Sequence, residues 1–304
     1  MNKIKPDFLI SFEKSGLTVT HSSMKKRSLG LVTSFTPEIF RCEYFTRIIS
    51  GIIDALRNSD FDLRFIMVSE KEPPNPKTVL EDHSIEGLMF LTWTIHAEFL
   101  KATKQIQANI PIVLINDFTP DIQSHMVYCN NEEGTRKALQ FLIGRGYRKI
   151  GMLQAPDSDS RDAQMRYKIY REMLTTAGLE FNPDYFRKCD YYFEEDGYLK
   201  MLDLIHHSPA LPRAMFCFND DIAIGVLRAL REEKISCPEQ VAIMGYDGLE
   251  RGKYVVPALT TVRQPLELMG REMVKILIDT TEGNLKTPIH KEFHPDVVVR
   301  SSVA

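Results

Sequence analysis

Short apolar runs alternate with amphipathic helical stretches along most of this chain, and the alternation occurs twice. "SLGLV" at residues 28–32 leads to "YFTRIISGIIDALRNSDF", in which Phe45, Ile48, Ile49, Ile52, Ile53 and Leu56 recur at helical spacing. "DLRFIMV", "IEGLMFLTW" and "IPIVLIN" follow as strands, with "PKTVLED" and "HAEFLKATKQIQ" as helices among them. A second round opens after "MVYCNNEEG": "EEGTRKALQFLIGRG", "KIGMLQA", "DAQMRYKIYREMLTTAG", "RAMFCF", "NDDIAIGVLRALREEK" and "QVAIMGYD". Strands alternating with amphipathic helices imply a parallel sheet covered on both faces. The expected fold class is therefore α/β, with two doubly wound parallel-sheet lobes.

A chain of 304 residues has room for two such lobes, each able to bury its own core. The helix "LELMGREMVKILIDTTEG", with Pro265 at its start and Gly283 past its end, obeys the usual asymmetry of helix punctuation. Its place after the second round sends it back to the first lobe, and "DVVVRSS" then returns to the second. Three crossovers are expected, near residues 129–132, 258–262 and 285–291. The domains are read as 1–27, a basic arm; 28–129 plus 262–285, the N-terminal lobe; and 130–261 plus 286–304, the C-terminal lobe.

Hydrophobic content of 43% and charged content of 26% fit a globular chain, and a formal charge of -3 gives no global attraction to nucleic acid. The first 28 residues differ: Lys3, Lys5, Lys14, Lys25, Lys26 and Arg27 against Asp7 and Glu13 leave a local excess of four positive charges. No apolar stretch reaches bilayer length and the N-terminus lacks a signal-peptide pattern, so a cytoplasmic location is expected. Five cysteines, at 42, 129, 189, 217 and 237, are odd in number and without CxxC spacing. They are read as buried free thiols rather than a disulfide framework or zinc site.

Motifs for catalysis are absent: the sequence has no GxSxG elbow, no HExxH and no Walker A loop. "GRGYRKIG" has Lys149 where a third glycine should stand and precedes its strand, which rules out a dinucleotide fingerprint. Adjacent Asp220 and Asp221 cannot face each other as a glycosidase pair, and His206, His207, His290 and His294 form no metal triad. The chain is read as a non-enzyme without cofactor or metal.

Binding residues are more visible. Asn219 and Asp220 close an apolar strand and open a helix, where they cap orphan amides or face a ligand. Asp247 ends "VAIMGY" beside Gly248, a turn position or a carboxylate offered to hydroxyls and amines. Arg166, on a helix after the loop "APDSDSRD", offers five donors, with Arg161 competing for the role.

These fragments, in this order from about Ser28 to Ser301, resemble the effector-binding core of the lactose and galactose repressor (LacI/GalR) family, itself similar to periplasmic sugar-binding proteins of type I. "NDDIAIGVLRALREEKISCPEQVAIMGYDG" with "PALTTVRQPLELMG" carries most of the resemblance. It implies that Asn219, Asp247 and Arg166 bind a small polar effector, a sugar or related metabolite, in a cleft between the lobes. Phe40, Trp93 and Phe218 are candidate aromatic walls or core residues. This sequence has Gly248 where the family often has a second aspartate, and Ile169 where it often has glycine; the effector's identity stays open.

The resemblance implies effector-responsive transcriptional regulation by a homodimer, with outward Phe45 and Ile49 as interface candidates. The stretch before Ser28 is about half a helix-turn-helix headpiece with its hinge. "SGLTVTHSS" is faintly like a turn and recognition helix, but a solvated arm is the expectation. DNA binding by a repressor is thus expected only through a headpiece missing from this sequence or supplied by a partner. The alternative is a cytoplasmic solute-binding or sensor protein without direct DNA binding.

Overall fold

The computed structural model describes residues 8–13, 16–21, 27–34, 40–68, 76–77, 84–91, 97–106, 109–116, 122–156 and 161–304. Contacts divide the chain into two compact units, Met1–Tyr128 with Leu266–Phe293 and Cys129–Pro265 with His294–Ala304. The chain passes from one to the other three times.

In the first unit the parallel strands are β3 (Arg27–Ser34), β4 (Phe61–Val68), β5 (Ile85–Leu91), β6 (Ile112–Ile115) and β7 (His125–Cys129). They are ordered β4-β3-β5-β6-β7. β1 (Phe8–Glu13) and β2 (Gly16–His21) form an antiparallel hairpin, and β2 pairs with the β4 edge. The faint helix-turn-helix likeness of "SGLTVTHSS" is thereby corrected: residues 16–21 are a strand, as their β-branched alternation favours. The expected solvated arm is in this part an extension of the sheet. At the other edge β13 (His290–Phe293) joins β7.

Among the described residues, helices α1 (Glu43–Leu56), α2 (Ala97–Ile106) and α7 (Leu266–Thr281) belong to this unit; the expected helix "PKTVLED" lies mostly outside the described residues. α1 and α7 lie nearly backbone to backbone: a Cβ on Gly51 would sit 2.0 Å from the Glu267 carbonyl oxygen, and one on Gly270 2.1 Å from that of Ile48. Ion pairs Arg47–Glu267 (2.6 Å) and Arg271–Asp54 (2.8 Å) tie the pair together. Having a second helix against it as well as the sheet, α1 buries Phe45 (2% exposed) and Ile49 (7%). These residues are core rather than the outward interface candidates that the spacing suggested, and the exposed apolar residue of α1 is Ile53.

The second unit repeats the plan. β8 (Ile150–Gln154), β9 (Phe186–Lys188), β10 (Ala214–Cys217), β11 (Ala242–Asp247) and β12 (Thr260–Arg263) run parallel in the order β9-β8-β10-β11-β12, with β14 (Asp296–Val298) antiparallel on β12. Its helices are α3 (Asn131–Gly144), α4 (Arg161–Thr176), α5 (Glu194–His207) and α6 (Asp220–Glu232). In each unit the first strand lies between the second and third, so the strand order reverses there, which is where open α/β sheets bind ligands beyond their carboxyl ends.

The division departs from the expected boundaries by one residue at Cys129, which falls in the second unit, and by several residues at two later places. β12 pairs with β11, so residues 262–265 belong to the second unit; β13 pairs with β7, so residues 286–293 belong to the first. Helix α7 starts directly after Pro265, and Gly283 adopts φ +78° beyond its end. All five cysteines are free thiols, four buried and Cys237 partly so. Among the described residues no helix is long and apolar enough to cross a membrane.

His125 clamps β7 to the returning segments. Its Nδ1 accepts the Ile289 amide (3.2 Å), and its Nε2 lies 3.2 Å from the Thr280 hydroxyl, which itself donates to the Ile276 carbonyl. Burial, with Lys104 and His290 nearby, lowers its pKa to about 4. The unfolded imidazole titrates near 6.5, so the contribution is present above that pH and is lost as pH falls toward 4. The stability difference between wild type and His125→Asn should therefore shrink by roughly 3 kcal/mol between pH 7 and pH 4, read from denaturant melts. A difference independent of pH would refute the neutral clamp.

Candidate functional site

At the carboxyl edge of the second unit's sheet, three helix starts and the ends of β8, β10, β11 and β12 place polar groups side by side. Arg166, one turn into α4, is only 2% exposed. Its guanidinium stacks 3.6 Å from the centre of the Tyr246 ring and 4.3 Å from that of Phe218. Nη1 donates to the Phe218 carbonyl and Nη2 to Asn131 Oδ1 (3.3 Å). A buried guanidinium is costly unless its donors and charge are answered; here two oxygens serve Nη1 and Nη2, and two π faces and the field of Asp247 answer the charge.

Asn131, the first residue of α3, links this group to its surroundings. Its Oδ1 also accepts the Tyr246 hydroxyl (2.9 Å), and its Nδ2 donates to Asp162 (2.7 Å). The neighbouring Asn130 performs the capping, its side chain accepting the Glu133 amide.

Asp247 ends β11 with φ +113°, and Gly248 follows at +75°. A non-glycine residue there costs on the order of 1–3 kcal/mol, which the surroundings must over-determine. Gln264 does so in part: its backbone amide donates to the Asp247 carbonyl (3.1 Å) and its Nε2 to Oδ1 (2.8 Å). Burial pushes the Asp247 carboxyl up to about 7, while Arg166 and the Gln264 bond oppose that shift.

Asn219 is the N-cap of α6: its Oδ1 accepts the Ile222 amide (2.8 Å) and its Nδ2 donates to the Tyr192 carbonyl (2.9 Å). Phe218, just before it, is 7% exposed and tilted against Tyr192 at 5.7 Å between ring centres. Asp220 and Asp221 diverge, as adjacent residues on a helix must. Asp220 is fully buried and bonds Leu249 and Thr261, whereas Asp221 pairs with Arg251 at 2.8 Å.

Of the seven residues singled out, Arg166, Phe218, Asn219 and Asp247 thus gather at one sheet edge. Arg161 starts α4 with an exposed side chain. Phe40 belongs to the first unit, 51% exposed and tilted against Phe65. Trp93 lies outside the described residues. Asn131, Tyr246 and Gln264 were not singled out from the sequence. The "GYD" and "RQP" strings contain two of them, but only the parallel pairing of β11 and β12 brings Gln264 to Asp247. Buried polar atoms without a partner among the described residues also collect here: Arg166 Nε, Gln154 Oε1 and Gln264 Oε1. The arrangement presents a carboxylate and a guanidinium with aromatic rings, which suits hydrogen-bonding a small polar molecule.

Residues 139–303 match the family model described as a periplasmic binding protein-like domain. The chain is 27% identical over 284 residues to the HTH-type transcriptional repressor PurR of Pasteurella multocida (strain Pm70), an alignment covering 91% of this chain and 81% of the relative. Among solved structures it is similar to a complex of the transcriptional regulator CelR with cellobiose, at 27% identity and TM-score 0.79, covering 92% of this chain and 86% of that one. A LacI family transcriptional regulator from Enterococcus faecium with bound ribose shares the fold at TM-score 0.79 and 21% identity, over 91% of this chain and 99% of that one.

The sign of Asp247's proton linkage follows from its raised pKa. The folded state holds an extra proton between about pH 4 and 7, so this contribution is complete below pH 4 and is lost as pH rises through 7. Asn keeps the side-chain shape and tolerates positive φ. Relative to Asp247→Asn, the wild type should lose on the order of 1–4 kcal/mol of stability from pH 4 to pH 8. Parallel pH profiles for the two proteins would show that Asp247 ionises normally.

Proposed function

Because this chain belongs to the periplasmic binding protein-like domain family and carries a LacI/GalR-family effector-binding core, we propose that it is a sensor of a small polar effector, bound at the carboxyl edge of the second unit's sheet. The observation that carries this reading is Asp247: a buried carboxylate held in a left-handed conformation, bonded to Gln264 and in the field of Arg166. A carboxylate so placed accepts hydroxyls or amines, and strain of this kind is maintained where a side chain must be aimed. Asn219 and Arg166 use several polar atoms within the protein, so their first duty is to build the wall; Asp247 makes the principal effector contact. A sugar or related metabolite is the favoured effector class, supported by the cellobiose and ribose complexes of similar proteins.

Transcriptional regulation as a homodimer is the second reading, favoured by the regulators to which the chain is similar. On this reading the strands at 8–13 and 16–21 are not the DNA-contacting element. Sequence-selective, salt-sensitive binding to DNA upstream of its own gene would support that reading, and indifference to DNA sequence would leave the sensor alone.

A thermal-shift panel of cellobiose, ribose, other sugars, phosphosugars, nucleosides, purine bases and amino acids tests the sensor. A true effector at about 100 times its Kd adds about 2.7 kcal/mol. Asp247→Asn should weaken that compound by about 1.5 kcal/mol or more, at least about tenfold in Kd. A flat panel, or unchanged affinity in the variant, would refute the assignment.

A further inference from the structure

The fully buried carboxylate of Asp220 has no evident duty in its own helix. Asn219 already caps α6 through the Ile222 amide, and Asp220 stands one residue further on. Its oxygens instead reach two other segments. Oδ2 accepts the Leu249 amide at 2.7 Å, and Oδ1 accepts the Thr261 hydroxyl at 2.6 Å. The same Thr261 oxygen accepts the Gly248 amide at 3.3 Å. Strand β11 leaves room for this: a Cβ on Gly245 would lie 2.2 Å from Asp220 Oδ1. Burial disfavours the charged carboxylate, as does neighbouring Asp247, so a side chain with only a packing role would be better replaced by an apolar one.

These bonds converge on the residues just after Asp247, on Leu249 directly and on Gly248 through Thr261. Asp247 and Gly248 both have positive φ, and such a turn opens unless its flanking amides are held. Asp221 adds a second anchor through Arg251, which also reaches Glu194 at 2.5 Å. The two acidic neighbours therefore diverge with a purpose: one holds the start of the 248–253 loop and the other its middle.

We infer that Asp220 is a positioning residue of the effector site, its buried carboxylate locking the left-handed Asp247–Gly248 turn through Leu249 and Thr261 so that the Asp247 side chain stays aimed beside Gln264. The functional meaning rests on the sensor reading, but the lock is a property of the free protein and is testable there.

Single-residue hydrogen exchange of the full chain without ligand reads the lock at the Gly248 and Leu249 amides, with Phe216 and Ile243 in the sheet as references for global opening. Asp220→Ala should speed exchange at Leu249 by about tenfold or more while the references stay within about twofold, the pattern of a local opening. Asp220→Asn, which keeps an oxygen facing Leu249, should restore slow exchange to within about threefold of wild type. Thr261→Val removes the hydroxyl at nearly constant volume and should speed exchange at Gly248 and Leu249. If Asp220→Ala fails to fold, the contrast is read between Thr261→Val, fast, and Asp220→Asn, slow. Unchanged exchange at Leu249 in a folded Asp220→Ala, or equal rates in Asp220→Asn and Thr261→Val, overturns the assignment. A panel flat for every compound sinks the sensor reading and leaves the exchange result standing. Where a compound does bind, Asp220→Ala should weaken it about tenfold and Asp220→Asn should not.

Discussion

A charged guanidinium buried to 2% exposure is the most demanding object in the second unit, and much around it is arranged to meet its needs. Arg166 requires acceptors, and they come from the Phe218 carbonyl at the end of β10 and from Asn131 at the start of α3. It also requires a polarisable surface, supplied by Tyr246 on β11 and by Phe218. Three elements distant in sequence are thus fastened to one side chain on α4. Removing the charge would leave those acceptors facing one another, which is why such a cluster is costly to assemble and costly to break.

The carboxylates are a response to the same field. Arg166 favours the charged form of Asp247 against the cost of burial, and the balance leaves that group near neutrality in its titration. If the proposed effector binds there, a donor-rich molecule would favour the charged form. Charge and strained backbone meet at one residue: the left-handed turn fixes where the carboxyl group points, and its neighbours bias the charge it carries. Asp220 lies in the same region yet answers to different partners, Leu249 and Thr261, and its burial is complete.

Architecture was legible because it rests on periodicity, which neighbours along the chain express. The strands of both rounds, the start of α7 after Pro265 and its stop before Gly283 all follow from local pattern. Features set by nonlocal pairing were not. Short β9, β12 and β13 have too few residues to carry a period, and β13 acquires its unit only by pairing with β7. Phe45 and Ile49 have the spacing of an exposed flank, yet the return of α7, admitted by Gly51 and Gly270, turns that flank into core. The segment at 16–21 reads as a faint recognition helix only by residue type, whereas its alternation pairs it with an available sheet edge.

The site divides along the same line. Arg166, Phe218, Asn219 and Asp247 stand at strand ends and helix starts, which the order of elements already directs to a carboxyl edge. Asn131, Tyr246 and Gln264 are invisible as site residues until the sheet is built, because their roles are defined by which strand lies beside which. Asp220 shows the limit most clearly. In the string "NDD" it cannot be told from a capping residue, and the distinction comes only from Asn219 having taken the cap while Leu249, 29 residues on, offers its amide. A buried acidic residue beside an already capped helix start is thus better read as a tie to another loop than as a second cap, and the place to look for its partner is the end of the adjacent parallel strand.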